Sequence, residues 1–186
     1  MKKHISAHNR KVLGEHQTKK DTLIAARKGK KNEKKMCNCR NPQDCPVEQH
    51  CQEVSLVYQA DVLSKHGTHT YYGLTERTFK ERFTEHKQSL PSATSNMDPA
   101  DRKKKYGHMT ELSGYAWKLH DEGTPYTIKW KIHSRAYVYK SGSKKCDLCL
   151  QEKVTIAMAD PEVTLNSRNE LTSKCRHRWK YKHQQC

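Results

Sequence analysis

The sequence predicts an α+β fold: a small mixed or antiparallel three-stranded sheet flanked by helices, with a cysteine-rich, zinc-binding extension on its N-terminal side. Two runs rich in strand formers flank the turn residues Lys65, His66, Gly67 and Thr68, which is a hairpin pattern. A third run, residues 126–133, alternates Tyr126, Ile128, Trp130 and Ile132 with polar residues, the period of a half-buried strand. The segments between carry apolar residues at helical spacing. Hydrophobic residues make up 33% of the 186, enough for one lean core rather than two large ones.

Taken in order, residues 1–36 have little apolar content and read as a basic flexible linker. Residues 37–53 form a cysteine-rich knuckle, with Pro42 and Pro46 to turn the chain. The folded body covers 54–170. Its strands are predicted at 54–63 and 68–74, and Thr75 is placed to cap a helix over 77–89, where Phe79 and Phe83 share a buried stripe. Arg82 and His86, also four apart, lie on an adjoining face. Residues 91–108, with two prolines and the Lys103-Lys104-Lys105 cluster, read as a loop. Leu112, Tyr115, Ala116 and Leu119 mark a helix over 111–121, stopped by Gly123 and Pro125. A further helix is expected over 149–159, ended by Pro161, and a short strand over 163–166. The order is β-β-α-α-β-α, with residues 171–186 as a basic tail.

Thirty-six Lys and Arg against twenty Asp and Glu give a net charge of +16. Residues 1–36 hold +9 of it and residues 171–186 hold +5, which leaves +2 for the body. A near-neutral body with two basic ends fits a polyanion, nucleic acid first, held through phosphates without sequence readout. Lys103, Lys104, Lys105, Arg176, Arg178 and Lys180 are the candidate contacts. No apolar run is long enough for a membrane span, and the Met-Lys-Lys-His start lacks the apolar core of a signal peptide. An intracellular, reducing location follows as an expectation, so the eight cysteines are read as thiols or metal ligands. The basic run over 28–35 is a candidate nuclear import signal.

Zinc needs four S or N ligands converging tetrahedrally. Cys37, Cys39, Cys45 and Cys51 supply four thiols within fifteen residues, and His50 is an alternative to one of them. Cys146 and Cys149, at the usual C-x2-C spacing, form a better knuckle but need two distant partners. Cys175 with His177, or His183, are the candidates. His66 and His69 read as solvated turn residues.

Val57-Tyr58, then Tyr71-Tyr72-Gly73, then the helical stretch from Phe79 through Arg82 to His86, resemble the GIY-YIG nuclease superfamily. A longer set of motifs is similar to the endonuclease portion of Penelope-like retroelements, over nearly the whole chain from Cys37 on. It comprises Cys37-Asn38-Cys39-Arg40 with Cys45-Pro46, Tyr72-Gly73-Leu74-Thr75-Glu76, residues 146–153, residues 165–171 and Lys174-Cys175-Arg176-His177. The chain departs from the pattern at Leu56, where the family has glycine, and at Val57, where it has isoleucine. His66 and His69 stand in the interval where many relatives of that type carry a cysteine pair.

The resemblance implies a DNA endonuclease that hydrolyses phosphodiester bonds with Mg²⁺ or Mn²⁺, nicks target DNA for retroelement insertion, works in the nucleus and has a reverse transcriptase of the same element as partner. It implies Tyr58 as general base, assisted by Tyr71 or His86, with Asn166 shaping the site. The residue types suit that chemistry on physical grounds. Glu152 is one carboxylate, enough to hold a hydrated Mg²⁺. Arg82 can fork onto phosphate oxygens, and His86 can carry a proton. The competing expectation is a non-catalytic, zinc-supported nucleic-acid-binding module.

Overall fold

The computed structural model describes residues 36–92, 95–107, 109–139, 145–167, 169–175 and 177. The two strand-forming runs become β1 (Leu56–Ser64) and β2 (Gly67–Thr75), antiparallel and in register from Leu56↔Thr75 to Ser64↔Gly67. Gly67 closes the hairpin at φ +99°, a backbone region open to glycine. The alternating third run is β3 (Tyr126–Arg135), which pairs antiparallel with the other side of β1. The sheet order is therefore β2-β1-β3, with β1 central. This is an α+β fold on an antiparallel sheet.

A central strand is covered on both faces. Leu56, Tyr58, Ala60 and Val62 point into the main core, with Phe79, Leu112 and Leu119 from the helices and Val47 and Cys51 from the knuckle. On the other face Val57 packs with Cys146 and Leu148. The helices are α1 (Phe79–Ser89), α2 (Pro99–Tyr106), α3 (Glu111–Asp121), α4 (Asp147–Met158) and the single turn α5 (Asn169–Thr172). None is long and apolar enough to cross a membrane.

Several expectations are corrected. The cap of α1 is Thr78, whose side chain accepts from the Glu81 amide; Thr75 Oγ1 instead accepts from the Arg77 amide at 3.2 Å. The next two amides of α1 are taken by the knuckle: Phe79 donates to the Glu53 carbonyl at 3.0 Å and Lys80 to the Cys51 carbonyl at 2.8 Å. Residues 163–166 form a single parallel bridge, Thr164 to Thr70, rather than a strand. Residues 1–35, with the expected linker and import signal, and most of the basic tail lie outside the described residues.

The largest correction is α2, where a loop was expected. Asp98 caps it, accepting from the amides of Ala100 and Asp101 at 2.8 and 3.0 Å, and Pro99 starts it. Its one buried residue is a cation. Arg102 forks onto both oxygens of Asp121 at 2.6 Å and lies 4.0 Å from the Trp117 ring centroid, which fastens α2 to α3. Lys103, Lys104 and Lys105 are thereby presented to solvent from a fixed helix. Replacing Arg102 with alanine should lower stability by about 1–3 kcal/mol and open α2 to proteolysis. An unchanged urea midpoint and digestion pattern would show that α2 is held by something else.

Candidate active site and metal centres

The site starts from Tyr58 on the central strand. Its hydroxyl meets His86 Nε2 at 2.7 Å and accepts from Arg82 Nε at 3.0 Å. The i, i+4 spacing on α1 brings both partners to one phenol. The phenol reaches them by lying across β2 at Gly73, where any Cβ would overlap the Tyr58 ring and hydroxyl. That overlap explains why glycine follows the two tyrosines. Tyr71 faces the same side of the sheet, paired with Ala60, its ring centroid 6.5 Å from Tyr58 and 6.1 Å from His86.

Burial sets the protonation states. It pushes the Tyr58 phenol up to about 12, although Arg82 pulls the other way. It holds His86 down at about 3, with the Arg82 charge adding to the effect. His86 is therefore neutral, and its Nε2 can accept the Tyr58 proton while Arg82 donates to the same oxygen. Burial and the neighbouring Tyr58 push Tyr71 well above the usual phenol range. Arg82 stays charged, because Tyr58 and Glu85 outweigh its burial. Glu85 bridges Arg82, at 3.0 Å, to Arg77.

Glu152 comes from α4. Burial and the nearby Glu170 carboxylate push it up to about 7, against Lys153, the Leu74 backbone and Arg82. Its charge, like that of Arg82, bears in turn on Tyr58 and Tyr71, so Tyr58, Tyr71, Arg82 and Glu152 act on one another electrostatically. Asn166 is set as a backbone clamp. Its Oδ1 accepts from the Tyr72 amide and its Nδ2 donates to the Tyr72 carbonyl, both at 2.7 Å, and Nδ2 also meets Glu170 Oε2 at 2.6 Å. All six predicted residues, Tyr58, Tyr71, Arg82, His86, Glu152 and Asn166, thus belong to one neighbourhood.

Glu170 and Glu85 were missed in the sequence. Glu85 had a usable signal, being three residues from Arg82 on a predicted helix. For Glu170 the signal was its place in the 165–171 motif, four residues from Asn166. His69 is corrected: it sits half-buried in β2, with Nδ1 2.9 Å from the Tyr115 hydroxyl. His66 is exposed in the turn and pairs with Glu122 at 3.3 Å. Of the predicted nucleic-acid contacts, Lys105 lines a cavity of about 310 Å³ with Arg82, Glu85, His86 and Tyr106. Arg176, Arg178 and Lys180 lie outside the described residues.

Both cysteine sets converge. The ligand atoms of Cys37, Cys39, Cys45 and Cys51 lie within 4.8 Å of one another, and so do those of Cys146, Cys149, Cys175 and His177. A tetrahedral zinc with bonds of about 2.3 Å needs sulfurs roughly 3.8 Å apart. In the first set Cys51 Sγ lies 3.7 Å from both Cys37 and Cys39. In the second, His177 Nδ1 is 3.1, 3.5 and 3.7 Å from Cys149, Cys146 and Cys175. None of the seven described cysteines is in a disulfide. Burial and neighbouring sulfurs push the Cys39 thiol up to about 12 and raise Cys149. A divalent ion would relieve that crowding, so both sets can hold a metal such as zinc. His50 is not among these ligands; it bonds Glu53 at 2.6 Å. His183, the alternative to His177, lies outside the described residues.

The chain matches no family model, no curated protein and no solved structure.

The buried neutral histidine predicts a pH dependence. Below about pH 6.5 the unfolded chain protonates this imidazole, while the folded one keeps it neutral down to about 3. Across that window the unfolded state binds the extra proton, so stability is lost as pH falls and is regained above it. His86→Gln should be less stable than the parent at pH 7.5 yet lose less on going to pH 5, read from urea midpoints. Parallel losses in the two proteins would rule out His86 as a source.

Proposed function

We propose that this chain is a GIY-YIG-type, divalent-metal-dependent DNA endonuclease that nicks target DNA for retroelement insertion. One observation carries the reading: the Tyr58 hydroxyl is held between a neutral His86 and a charged Arg82, with the Glu152 carboxylate in the same field. That arrangement is a proton path beside a phosphate-binding cation. Water attacks phosphorus and its proton passes to the tyrosine oxygen. The tyrosine's own proton moves along the 2.7 Å bond to His86 Nε2 in the same step, with the anionic phosphate at Arg82 offsetting the charge that holds this imidazole down in the free protein. The P–O bond to the leaving sugar oxygen breaks, that oxygen takes a proton from solvent water to leave as an alcohol, and Arg82 neutralises charge on the phosphate. Glu152 would hold Mg²⁺ or Mn²⁺, which when bound stabilises the leaving oxygen. Cation binding favours the ionised form of a carboxylate that burial keeps half-protonated near pH 7.

Zinc in the two cysteine sets would support the fold. The reading puts the activity on nuclear DNA, with a reverse transcriptase of the same element as partner. A second reading, a nucleic-acid-binding module without catalysis, is favoured by the complete burial of Tyr58.

Glu152→Gln should abolish Mg²⁺-dependent nicking of supercoiled plasmid while leaving DNA affinity within about twofold. Nicking that survives the change removes Glu152 as the metal ligand, and a parent protein that binds without nicking selects the second reading. Replacing Lys103, Lys104 and Lys105 with alanine should weaken duplex binding and flatten the log–log salt slope by roughly 0.9 for each phosphate no longer neutralised. An unchanged slope would take α2 out of the interface.

A further inference from the structure

The second cysteine set has a carboxylate neighbour that is not a ligand. His177 turns Nδ1 towards three sulfurs, at 3.1 to 3.7 Å, and its Nε2 lies 3.5 Å from Glu76 Oε2. Only one of the two ring nitrogens can face the metal. With Nδ1 in the sulfur triangle, the neutral ring must carry its proton on Nε2. His177 is buried, so that N–H needs an acceptor, and a carboxylate is the strongest acceptor a protein offers.

The set also joins three of the segments that build the candidate active site. Glu76 directly follows β2. Cys146 is the N-cap of α4 and Cys149 lies in its first turn, one turn before Glu152. Cys175 and His177 follow α5, which carries Glu170 and comes just after Asn166. Val57 and Leu74 pack against the cysteines from the sheet. The set therefore sits at the junction of β2, α4 and the C-terminal segment.

We propose that Cys146, Cys149, Cys175 and Nδ1 of His177 form a zinc site for which Glu76 is the outer carboxylate that fixes the histidine, and that this site locks Glu152 and the Asn166–Glu170 segment onto the edge of β2. Glu76 is a positioning residue: it binds no metal but selects the ring nitrogen that does. The lock is mechanical, since the cross-link leaves α4 and the C-terminal segment little freedom to separate. The inference rests on the zinc reading given above and is independent of whether the chain cuts DNA.

Cobalt(II) is the probe, because tetrahedral S₃N and S₄ sets give distinct ligand-field bands. The full chain, stripped and reloaded, should bind two equivalents and show both signatures. Glu76→Gln keeps the side-chain volume and a hydrogen-bond acceptor but loses the charge. It should weaken the S₃N site by about 10- to 100-fold in competition with a chromophoric chelator and leave the S₄ site unchanged. His177→Gln should abolish the S₃N signature. Amide exchange reads the lock in the parent protein without any substitution. Chelator titrated until the S₃N band disappears should speed exchange at Tyr72, whose amide is held by Asn166, but not at Lys80, whose amide is held beside the S₄ set. A parent chain with no S₃N band refutes the zinc reading and this inference with it. Equal S₃N affinity in Glu76→Gln removes Glu76 alone. Tyr72 exchange that ignores removal of the S₃N metal rules out the lock.

Discussion

An edge strand leaves half of its backbone polar groups without a sheet partner, and β2 is an edge strand. The way this edge is closed governs the rest of the site. Thr70 donates to the Val163 carbonyl at 2.8 Å and accepts from the Leu165 amide at 2.7 Å. Two residues on, Tyr72 is satisfied at both its amide and carbonyl by the Asn166 side chain, which stands in for a peptide. Two residues further, the Leu74 backbone acts on Glu152. Three successive outward positions thus take a backbone, an amide side chain and a carboxylate as partners. Glu152 comes near the tyrosines because the strand that carries Tyr71 needed its edge covered.

The inner half of the site obeys a packing constraint instead. Tyr58 fills the centre of the main core, with Phe79, His86 and Trp130 rings within 5.6, 5.6 and 6.0 Å of its own. A hydroxyl at that depth must be paired, and α1 supplies both partners from one face. Aromatic packing and polar pairing therefore specify the same helix position. The absent side chain at Gly73 makes room for the phenol. Leu56, which stands where the resemblance calls for glycine, is buried in this core and makes none of the hydrogen bonds to Tyr58. The departure leaves the polar arrangement intact.

The parts of the fold that were legible in the sequence were those with a period. The alternation of β3 appears unaltered as half-buried and exposed residues in turn, and the apolar stripe of α3 became Leu112, Ala116 and Leu119 in the interior. The helix α2 has no apolar stripe, because what fastens it is a cation to a carboxylate and a ring on another helix. A hydrophobic pattern does not register such a contact. Asp98-Pro99, with Asp101 early and three lysines late, was the signal that was there to be read. The six candidate residues were picked out by the order of the motifs that carry the resemblance. Glu170 and Glu76 lie inside two of those motifs but were not singled out, since each is a lone carboxylate whose neighbours come from distant segments. The second metal set shows the same limit. Cys146 and Cys149 announce themselves by spacing, but the convergence of Cys175 and His177 on them is visible only in the folded chain.

The knuckle was read as an extension, and two hydrogen bonds change its standing. The carbonyls of Cys51 and Glu53 take the amides of Lys80 and Phe79, while Lys80 Nζ reaches back to Asn38 Oδ1 at 2.7 Å. The helix that carries Arg82 and His86 begins on a floor made by the knuckle. A gene fragment cut at residue 54, where the composition changes, would encode every candidate catalytic side chain and still omit the seat of α1. The smallest heritable unit of this site is therefore longer than the span of its reactive residues.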